Sequence, residues 1–572
     1  MDKFKSNPLI FGTIKVFVLI VPIIVYFGIW NQYALNIPYF DDHALNGFLV
    51  KWLKSDDVLS KSKLLFSQHN EHRILVTRIA YLLVFYLNSS KISFVGLMLI
   101  GNLFLFCLVY IFCKVLNSSV LSSDATNPKA FSQSLYFGIF KQKSFYSWLI
   151  YLSITLIVFC FSNQENSFWG MASVQNFGVI ALAGLLCYRL SMVSKLDFSI
   201  FLISFLCVFT SGNGILSLFL VALWLIIKHK KKDIFIWVLF SITIFFLYFF
   251  DYKRPPSNPH EAQISDFLNF LRGYLIFCGS IFDVNLSANT LIRILVSTFA
   301  GFFIFSTCFL WLIVILRKSI VARKLTINQN QLFILLMLGF VFGTGFLTVF
   351  ARLGFGIEVL LTSRYKIYSS VLLLLCILIL IDFFPNSFKK VVLFFLPVAL
   401  FINLTHLLFS YQEIAYHHRY LIAMSMNYQT VKSKIDLPYQ KPSSVLNASN
   451  SVSEVKLPIS FIENQTTFSV FFNYSNVHIQ NEDGLYICLS DTISGNKIWF
   501  AAKQLMNKGK KDMVLNLNYW SKSSELSINK AELPEGVYEV IGNLVEQKTV
   551  KRFLTNRFVN GTNRLPEKTK NW

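Results

Sequence analysis

The amino-acid sequence predicts an α-helical polytopic membrane protein with about eleven spans and a small all-β sandwich domain at its carboxyl end. Of its 572 residues, 54% are hydrophobic and only 14% are charged, whereas soluble domains carry roughly 25% charged residues. Apolar runs of the length that a spanning helix requires, roughly 17–25 residues, recur up to about residue 410. Beyond that point, short runs with strand character alternate with turn residues.

The spans are predicted from these runs, and several of them are short. The first run is long enough to span and no small-residue cleavage site follows it, so we expect a retained helix rather than a signal peptide. The segment 73–87 carries Arg73 and Arg78 and is either the lower half of a long helix or a helix in the membrane interface. The predicted spans lie near 9–30, 91–113, 145–161, 173–188, 197–210, 214–227, 234–250, 291–316, 331–350, 364–382 and 391–409.

Lysine and arginine predict the orientation. The loops 114–144, 228–233, 317–324 and 388–390 are basic, which places them and the amino terminus in the cytoplasm under the positive-inside rule. An odd number of spans then places the tail outside, which in a bacterium is the outer side of the inner membrane. The net charge of +22 is explained by these loops, so nucleic acid is not predicted as a partner.

The chain is predicted to divide into a membrane domain at 1–410 with an outer loop at 31–72, an amphipathic helix and linker at 411–450, and a β-sandwich at 451–572. The strand-like runs of the tail are "TFSVFF", "GLYICLS", "KIWFAA", "MVLNLNYW" and "VYEVIGNLV". Cys488 is the one cysteine of the tail, so no disulfide is predicted there. The other eight cysteines lie in apolar spans, without zinc-binding spacing.

Polar clusters mark the predicted outer ends of the spans. Two adjacent carboxylates, Asp41 and Asp42, follow the first span, and "HNEHR" closes the same loop with His69, Glu71, His72 and Arg73. Glu165 lies in "SNQENSFWG", and Arg364 with Tyr365 in "TSRYK". Each group is open to a plainer interpretation: solvated helix ends, turn chemistry, or an arginine that extends to the interface. Without a metalloprotease spacing no metal site is predicted, although a divalent metal is left open as a cofactor.

Together these motifs resemble those of bacterial polytopic glycosyltransferases of the GT-C class. The resemblance covers roughly residues 1–410 and rests on the acidic pair after the first span, the "HNEHR" that closes the first outer loop, and the late "SRY" at the start of a helix. It implies a GT-C-like membrane fold and a sugar donor linked to polyprenyl phosphate. It also implies hexosyl or pentosyl transfer to an envelope glycan or glycolipid, such as lipopolysaccharide O-antigen.

The resemblance also implies roles for individual residues. Asp41 corresponds to the catalytic base and Asp42 to an acid that orients the acceptor or a metal, although relatives often have Asp-Glu there. Arg364 and Tyr365 correspond to the element near the carrier phosphate. Glu71, His72 and Arg73 correspond to the end of the loop where donor and acceptor meet, and we assign His69 and Glu165 to the same substrate pocket.

General chemistry agrees with this interpretation. A sugar on a lipid phosphate has a good leaving group, so the enzyme must deprotonate the acceptor hydroxyl and stabilise the departing phosphate. A single displacement by such a base predicts inversion at the anomeric carbon. Two alternatives stay open: a transporter or flippase of lipid-linked sugar, which requires polar groups at mid-membrane, and an O-antigen polymerase or ligase.

Overall fold

A computed structural model describes residues 8–122, 142–253, 266–322, 327–430, 459–473, 482–507, 519–546 and 549–562. The chain forms two compact units. The first comprises Met1–Ile29, Lys51–Leu83 and Gly96–Phe409, and the second comprises Trp30–Val50, Val84–Val95 and Ser410–Trp572. In its described part the first unit is almost entirely helical, whereas the second contains all of the longer strands.

Fifteen helices longer than eight residues can be followed along the described chain. Shorter 3₁₀, α and π turns connect several of them. The helices are α1 (Pro8–Tyr33), α2 (Asp42–Lys54), α3 (Val58–Phe66), α4 (Leu75–Leu87), α5 (Phe94–Ser122), α6 (Gln142–Val158), α7 (Gly178–Met192), α8 (Phe198–Val208), α9 (Leu216–Ile227), α10 (Lys231–Phe249), α11 (Phe267–Gly279), α12 (Thr290–Val321), α13 (Gln329–Arg352), α14 (Lys366–Phe383) and α15 (Phe388–Thr430).

Eight helical stretches of the described chain are long and apolar enough to cross a membrane. The prediction of a helical protein suited to multiple membrane passes is therefore supported, while the count of eleven spans stays a prediction. The predicted runs 197–210 and 214–227 form α8 and α9, whose 11 and 12 residues are shorter than a span requires. The eight stretches are Phe94–Ser118, Phe145–Ser167, Gly170–Met192, Lys231–Phe249, Thr290–Val321, Gln329–Phe355, Ser363–Phe383 and Pro385–Asn427.

The outer faces of these helices carry large apolar side chains. On α10, Phe235 is 74% exposed and Phe246 is 64% exposed, and on α12 Phe299 is 69% exposed. Apolar surface of this extent is costly in water, at about 25 cal/mol per Å², and marks a surface that another apolar phase covers. A lipid environment is the simplest cover for helices of this length.

Two glycines allow a close helix crossing within the first unit. A Cβ on Gly301 of α12 would lie 1.8 Å from the carbonyl oxygen of Leu275, and a Cβ on Gly279 of α11 would lie 2.1 Å from the carbonyl oxygen of Ser297. No side chain fits at such distances. The contact of α11 with α12 therefore requires glycine on both helices, as is common where membrane helices approach closely.

The tail of the second unit is a sandwich of two four-stranded antiparallel sheets. The strands are β3 (Ile459–Glu463), β4 (Thr467–Asn473), β5 (Gly484–Asp491), β6 (Lys497–Ala501), β7 (Lys503–Met506), β8 (Trp520–Asn529), β9 (Gly536–Glu546) and β10 (Thr549–Gly561). One sheet has the order β10-β9-β5-β6 and the other the order β3-β4-β8-β7. Val470 and Ile528 from one sheet and Ile487 and Val540 from the other share one buried core, so the two sheets pack face to face.

The sheet that contains β5 is buried on both faces. Ile422 and Ala423 of α15 pack on its second face with Tyr486, Cys488 and Trp499. This double burial explains why "GLYICL" is apolar throughout rather than alternating with polar residues. Trp499 and Cys488 are thus packing residues, and burial raises the pKa of the Cys488 thiol to about 11.

The last helix is longer than the sequence indicates. A span at 391–409 and an amphipathic helix from 411 were predicted, whereas α15 is one helix of 43 residues, Phe388–Thr430. No glycine or proline occurs from 398 to 430, so nothing in the sequence ends the helix there. The predicted linker up to 450 lies outside the described residues, as do loop 123–141 and most of "MVLNLNYW".

Candidate functional site

The end of the first outer loop forms a small hairpin in the first unit. Strand β1 (Gln68–His69) pairs with β2 (His72–Arg73), and His69 lies directly opposite His72. Asn70 makes the turn with a φ of 47°, a conformation that asparagine tolerates better than most residues. The "HNEHR" cluster is therefore an ordered turn, and Glu71 lies at its tip.

Arg73 fastens this hairpin to the rest of the unit. Its guanidinium is buried and donates to the carbonyl oxygens of Phe66, Tyr248 and Phe250, at the ends of α3 and α10. Burial lowers the pKa of Arg73. Because its guanidinium nitrogens donate to backbone carbonyl oxygens, the geometry favours a role in positioning the hairpin. The substrate contact predicted for Arg73 stays a prediction.

Glu71 forms an ion pair with Arg352 from the end of α13. His72 approaches the same carboxylate, with Nε2 4.0 Å from Oε1. Burial raises the pKa of Glu71, but His72 and Arg352 together outweigh this effect and hold the pKa below its usual value. Tyr365 interacts with Arg352 as well, so the hairpin and the "SRY" turn meet at one arginine that the sequence analysis did not single out.

The "SRY" turn, Ser363–Tyr365, is held by the turn that carries Glu165. The Ser363 hydroxyl donates to Glu165 Oε2 at 3.1 Å and accepts from the Glu165 backbone N–H at 3.1 Å. The Asn166 side chain donates to the carbonyl oxygen of Arg364 at 3.0 Å. The turn that carries Glu165 thus contacts the turn that carries Arg364 and Tyr365, while their shared role in substrate binding stays a prediction.

The guanidinium of Arg364 is half-buried and faces an aromatic ring. Its Cζ lies 5.4 Å from the centre of the Tyr365 ring. Within the described ranges of the chain no carboxylate pairs with Arg364, and its Nε has no hydrogen-bond acceptor. An arginine in this state can bind an anion through two parallel hydrogen bonds without first breaking an ion pair.

A fourth turn, Gly212–Ile215, contacts the same group of residues. A Cβ on Gly212 would lie 2.6 Å from His72 Nδ1, so a side chain at this position would displace the His72 ring. The Asn213 side chain donates to the Tyr368 hydroxyl at 3.0 Å and to Thr344 Oγ1 at 3.2 Å. Four turns that are far apart in sequence thus assemble around residues 71–72 and 363–365.

A buried charge cluster includes Lys366, two residues after Arg364. The carboxylate of Asp283 accepts from Arg293 Nε and Nη2, at 2.8 Å each, and from Lys366 Nζ at 2.9 Å. Burial raises the pKa of Asp283, but Arg293 and Lys366 hold it below its usual value. Lys366 belongs to the quoted "TSRYK", but its sequence neighbours gave no indication of its partners.

Asp41 and Asp42 belong to the second unit. Asp42 is fully buried at the start of α2, where Oδ2 accepts from the Tyr39 backbone N–H at 3.3 Å, whereas Asp41 is half-buried. Burial also lowers the pKa of the neighbouring His43. The Tyr39 ring contacts the His417 ring of α15, 4.6 Å between centres. Of the two acids, Asp41 is the more accessible to a substrate hydroxyl.

Among the described residues, no three His, Cys, Asp or Glu side chains lie close enough together to hold a metal ion. The paired His69 and His72 therefore have no third ligand of these types in the described chain. The assembled turns bring together an arginine that has no carboxylate partner in the described chain, a polar turn, and carboxylates at Glu71 and Glu165. No protein-family model, curated protein or solved structure matches this chain.

Proposed function

We propose that the protein is a membrane glycosyltransferase that uses a polyprenyl-phosphate-linked sugar. The acceptor is an envelope glycan or glycolipid, and the reaction takes place on the outer side of a bacterial inner membrane, with inversion. The amino terminus is cytoplasmic and the tail domain is extracytoplasmic in this proposal. The resemblance to the GT-C class supplies the reaction.

The observation that carries the proposal is the state of Arg364. Its guanidinium has no carboxylate partner within the described ranges, and the turn that bears it is held in place by Glu165 and Asn166. A lipid-linked sugar donor has to be held by its phosphate at the end of an apolar helix bundle. An unpaired, positioned arginine suits that task because its planar fork matches two phosphate oxygens.

The neighbouring ion pair supports the same assignment. Arg352 is neutralised by Glu71 and interacts with Tyr365, so it orients the "SRY" turn rather than competing with Arg364 for the phosphate. When the bond from the sugar to the phosphate breaks, negative charge grows on the leaving oxygen. A fixed guanidinium stabilises that charge without reorganisation.

The base of the reaction is assigned to the acidic pair of the first outer loop. A carboxylate within hydrogen-bond reach of the acceptor hydroxyl takes its proton during the displacement. Asp41, being half-buried, suits this role better than Asp42, whose side chain is fully buried. Asp42 is assigned to positioning.

A transporter of lipid-linked sugar is the second candidate, and the cluster of Asp283, Arg293 and Lys366 is the observation that favours it. Ionisable groups inside membrane helices often mark transport routes. The cluster is internally paired, however, and joins α14 to α12. A transporter moves the donor intact, whereas a transferase cleaves it.

The experiment that separates the two is sugar transfer in isolated membranes. Membranes with the wild-type protein, with Arg364→Ala at matched protein level, and without the protein are supplied with polyprenyl-phosphate donors carrying radiolabelled sugars. The proposal predicts label in envelope glycan or glycolipid and release of polyprenyl phosphate, both greatly reduced by Arg364→Ala. Donor that crosses the membrane uncleaved would instead support the transporter.

A further inference from the structure

The turn between α6 and α7 contains buried amides that nothing in the described chain satisfies. Asn163 is 1% exposed, and neither its Oδ1 nor its Nδ2 has a hydrogen-bond partner there. The same holds for Gln164 Oε1 and for Gln175 Nε2. Each unsatisfied buried polar group costs about 1–3 kcal/mol, and folded proteins contain few of them. Four such atoms within 13 residues indicate a polar partner that the described residues do not supply.

The turn that carries these amides is held in place by hydrogen bonds. The Tyr26 hydroxyl lies 2.5 Å from Asn102 Oδ1 and 2.6 Å from Ser167 Oγ. Ser167 Oγ in turn donates to the carbonyl oxygen of Asn163 at 3.1 Å. A π-helical turn, Ser173–Phe177, carries Gln175, and such turns are frequent at functional sites.

The same turn is joined directly to the proposed phosphate-binding residue. Asn166 contacts the Arg364 carbonyl through its Nδ2 and accepts from Asn176 Nδ2 at 2.9 Å through its Oδ1. Glu165 is bonded to Ser363. A group that binds these amides is therefore held on elements that adjoin the site of the carrier phosphate.

A group of uncharged hydrogen-bond donors and acceptors is suited to binding hydroxyl groups. Each sugar hydroxyl donates one hydrogen bond and accepts others, and an amide side chain offers both an acceptor oxygen and a donor nitrogen. The one charged group of the turn, Glu165, accepts hydrogen bonds from hydroxyls but repels a carboxylate.

We propose that residues 162–176 form the subsite for the donor sugar, and that this subsite takes an uncharged, hydroxyl-rich sugar rather than a uronic acid. The inference rests on the proposed function, since it assumes that the sugar arrives on a phosphate bound by Arg364. It concerns binding only and requires no change to the reaction.

The test compares ligands with and without the sugar on the full-length protein in detergent. The probes are citronellyl phosphate alone and citronellyl phosphate carrying glucose, mannose, N-acetylglucosamine, arabinose or glucuronic acid. For the wild type, at least one uncharged donor is expected to bind about tenfold more tightly than the bare phosphate, a difference of about 1.4 kcal/mol. Asn163→Leu and Gln175→Met should remove that gain and leave the affinity for the bare phosphate unchanged.

Gln504→Met is the matched control. Gln504 is fully buried and its Oε1 also has no partner in the described chain, but it lies on β7 of the tail. This variant should keep the full gain from the sugar. Gln175→Met preserves side-chain length, so it carries the test if Asn163→Leu does not fold.

The outcomes separate the inference from the proposed function. If both turn variants keep the gain from the sugar, or if the glucuronyl donor binds best, the subsite assignment is overturned. If the wild type binds neither the phosphate nor any donor, the proposed function fails. Saturation-transfer NMR with the free sugars then decides the inference. Sugar contacts that are seen with the wild type and lost in Asn163→Leu uphold the subsite, whereas the absence of sugar contacts with the wild type overturns it.

Discussion

Arg364→Ala is the substitution that separates phosphate binding from folding. Arg364 is half-buried and forms no ion pair in the described chain, and its Cζ lies 5.4 Å from the centre of the Tyr365 ring. Such a contact contributes about 0.5–1 kcal/mol, so the fold should be almost unaffected. A charge-assisted hydrogen bond to phosphate contributes about 1.5–3 kcal/mol. Loss of one such bond predicts binding weaker by about 10- to 150-fold.

The assay is equilibrium binding of sugar-free polyprenyl phosphate to the purified protein. Arg364→Lys keeps the charge but loses the second, parallel hydrogen bond, so its affinity should fall between those of the wild type and Arg364→Ala. Arg189→Ala is the control, since Arg189 is an exposed arginine already paired with Asp197 at 2.6 Å. If Arg364→Ala binds as well as the wild type, or if Arg189→Ala loses as much affinity, the phosphate assignment is wrong.

Three further predictions concern the fold and its orientation. Asp283→Asn leaves Arg293 and Lys366 without their carboxylate and should destabilise the protein by about 3–5 kcal/mol in thermal or denaturant unfolding. In the wild type the pKa of Asp283 is lowered, so the carboxylate stabilises the folded protein at neutral pH, and this stabilisation is lost as the pH falls through the folded-state pKa. If the stability of Asp283→Asn falls with pH as steeply as that of the wild type, this account is contradicted. A tail fragment that begins at Ser410 should give a β-type circular dichroism spectrum unaffected by reductant, and should unfold at a higher temperature than one that begins at residue 451, because Ile422 and Ala423 cover the sheet. Finally, a reporter that is active only in the cytoplasm should be silent when fused after Trp572. A strong signal would show that the tail lies in the cytoplasm and would contradict the predicted orientation.

The sequence predicted the helices and strands best where periodicity and length were unambiguous. The apolar runs at 291–316 and 331–350 lie within α12 and α13, and "TFSVFF" and "VYEVIGNLV" lie within strands β4 and β9. The continuity of α15 was missed because its composition changes near residue 410 while its backbone has no residue that ends a helix. Composition reports the surroundings of a helix, whereas only breakers and caps report its ends.

The sequence predicted several residues of the candidate site but not which residues they pair with. Glu165, Arg364 and Tyr365 were singled out, and the structure adds that Ser363 and Asn166 link the turns that carry them. Arg352 and Asp283 were missed because each looks like an ordinary helix-end charge in the sequence. Arg352 pairs with Glu71, which is 281 positions away in the sequence, and Asp283 pairs with Lys366, which is 83 positions away. A single sequence carries no signal of contacts at such separations.

The rate of sugar transfer by Asp41→Asn and Asp42→Asn tests the central claim most directly. Both variants remove a base without much change in shape, and transfer from a polyprenyl-phosphate donor to envelope glycan is measured in membranes with matched protein levels. We predict that Asp41→Asn lowers turnover by about 10²- to 10⁴-fold, the usual contribution of general-base catalysis, while the binding of polyprenyl phosphate is retained and Asp42→Asn loses less. Full activity in both variants would contradict the glycosyltransferase account, and an inactive Asp42→Asn beside an active Asp41→Asn would exchange the roles of the two acids.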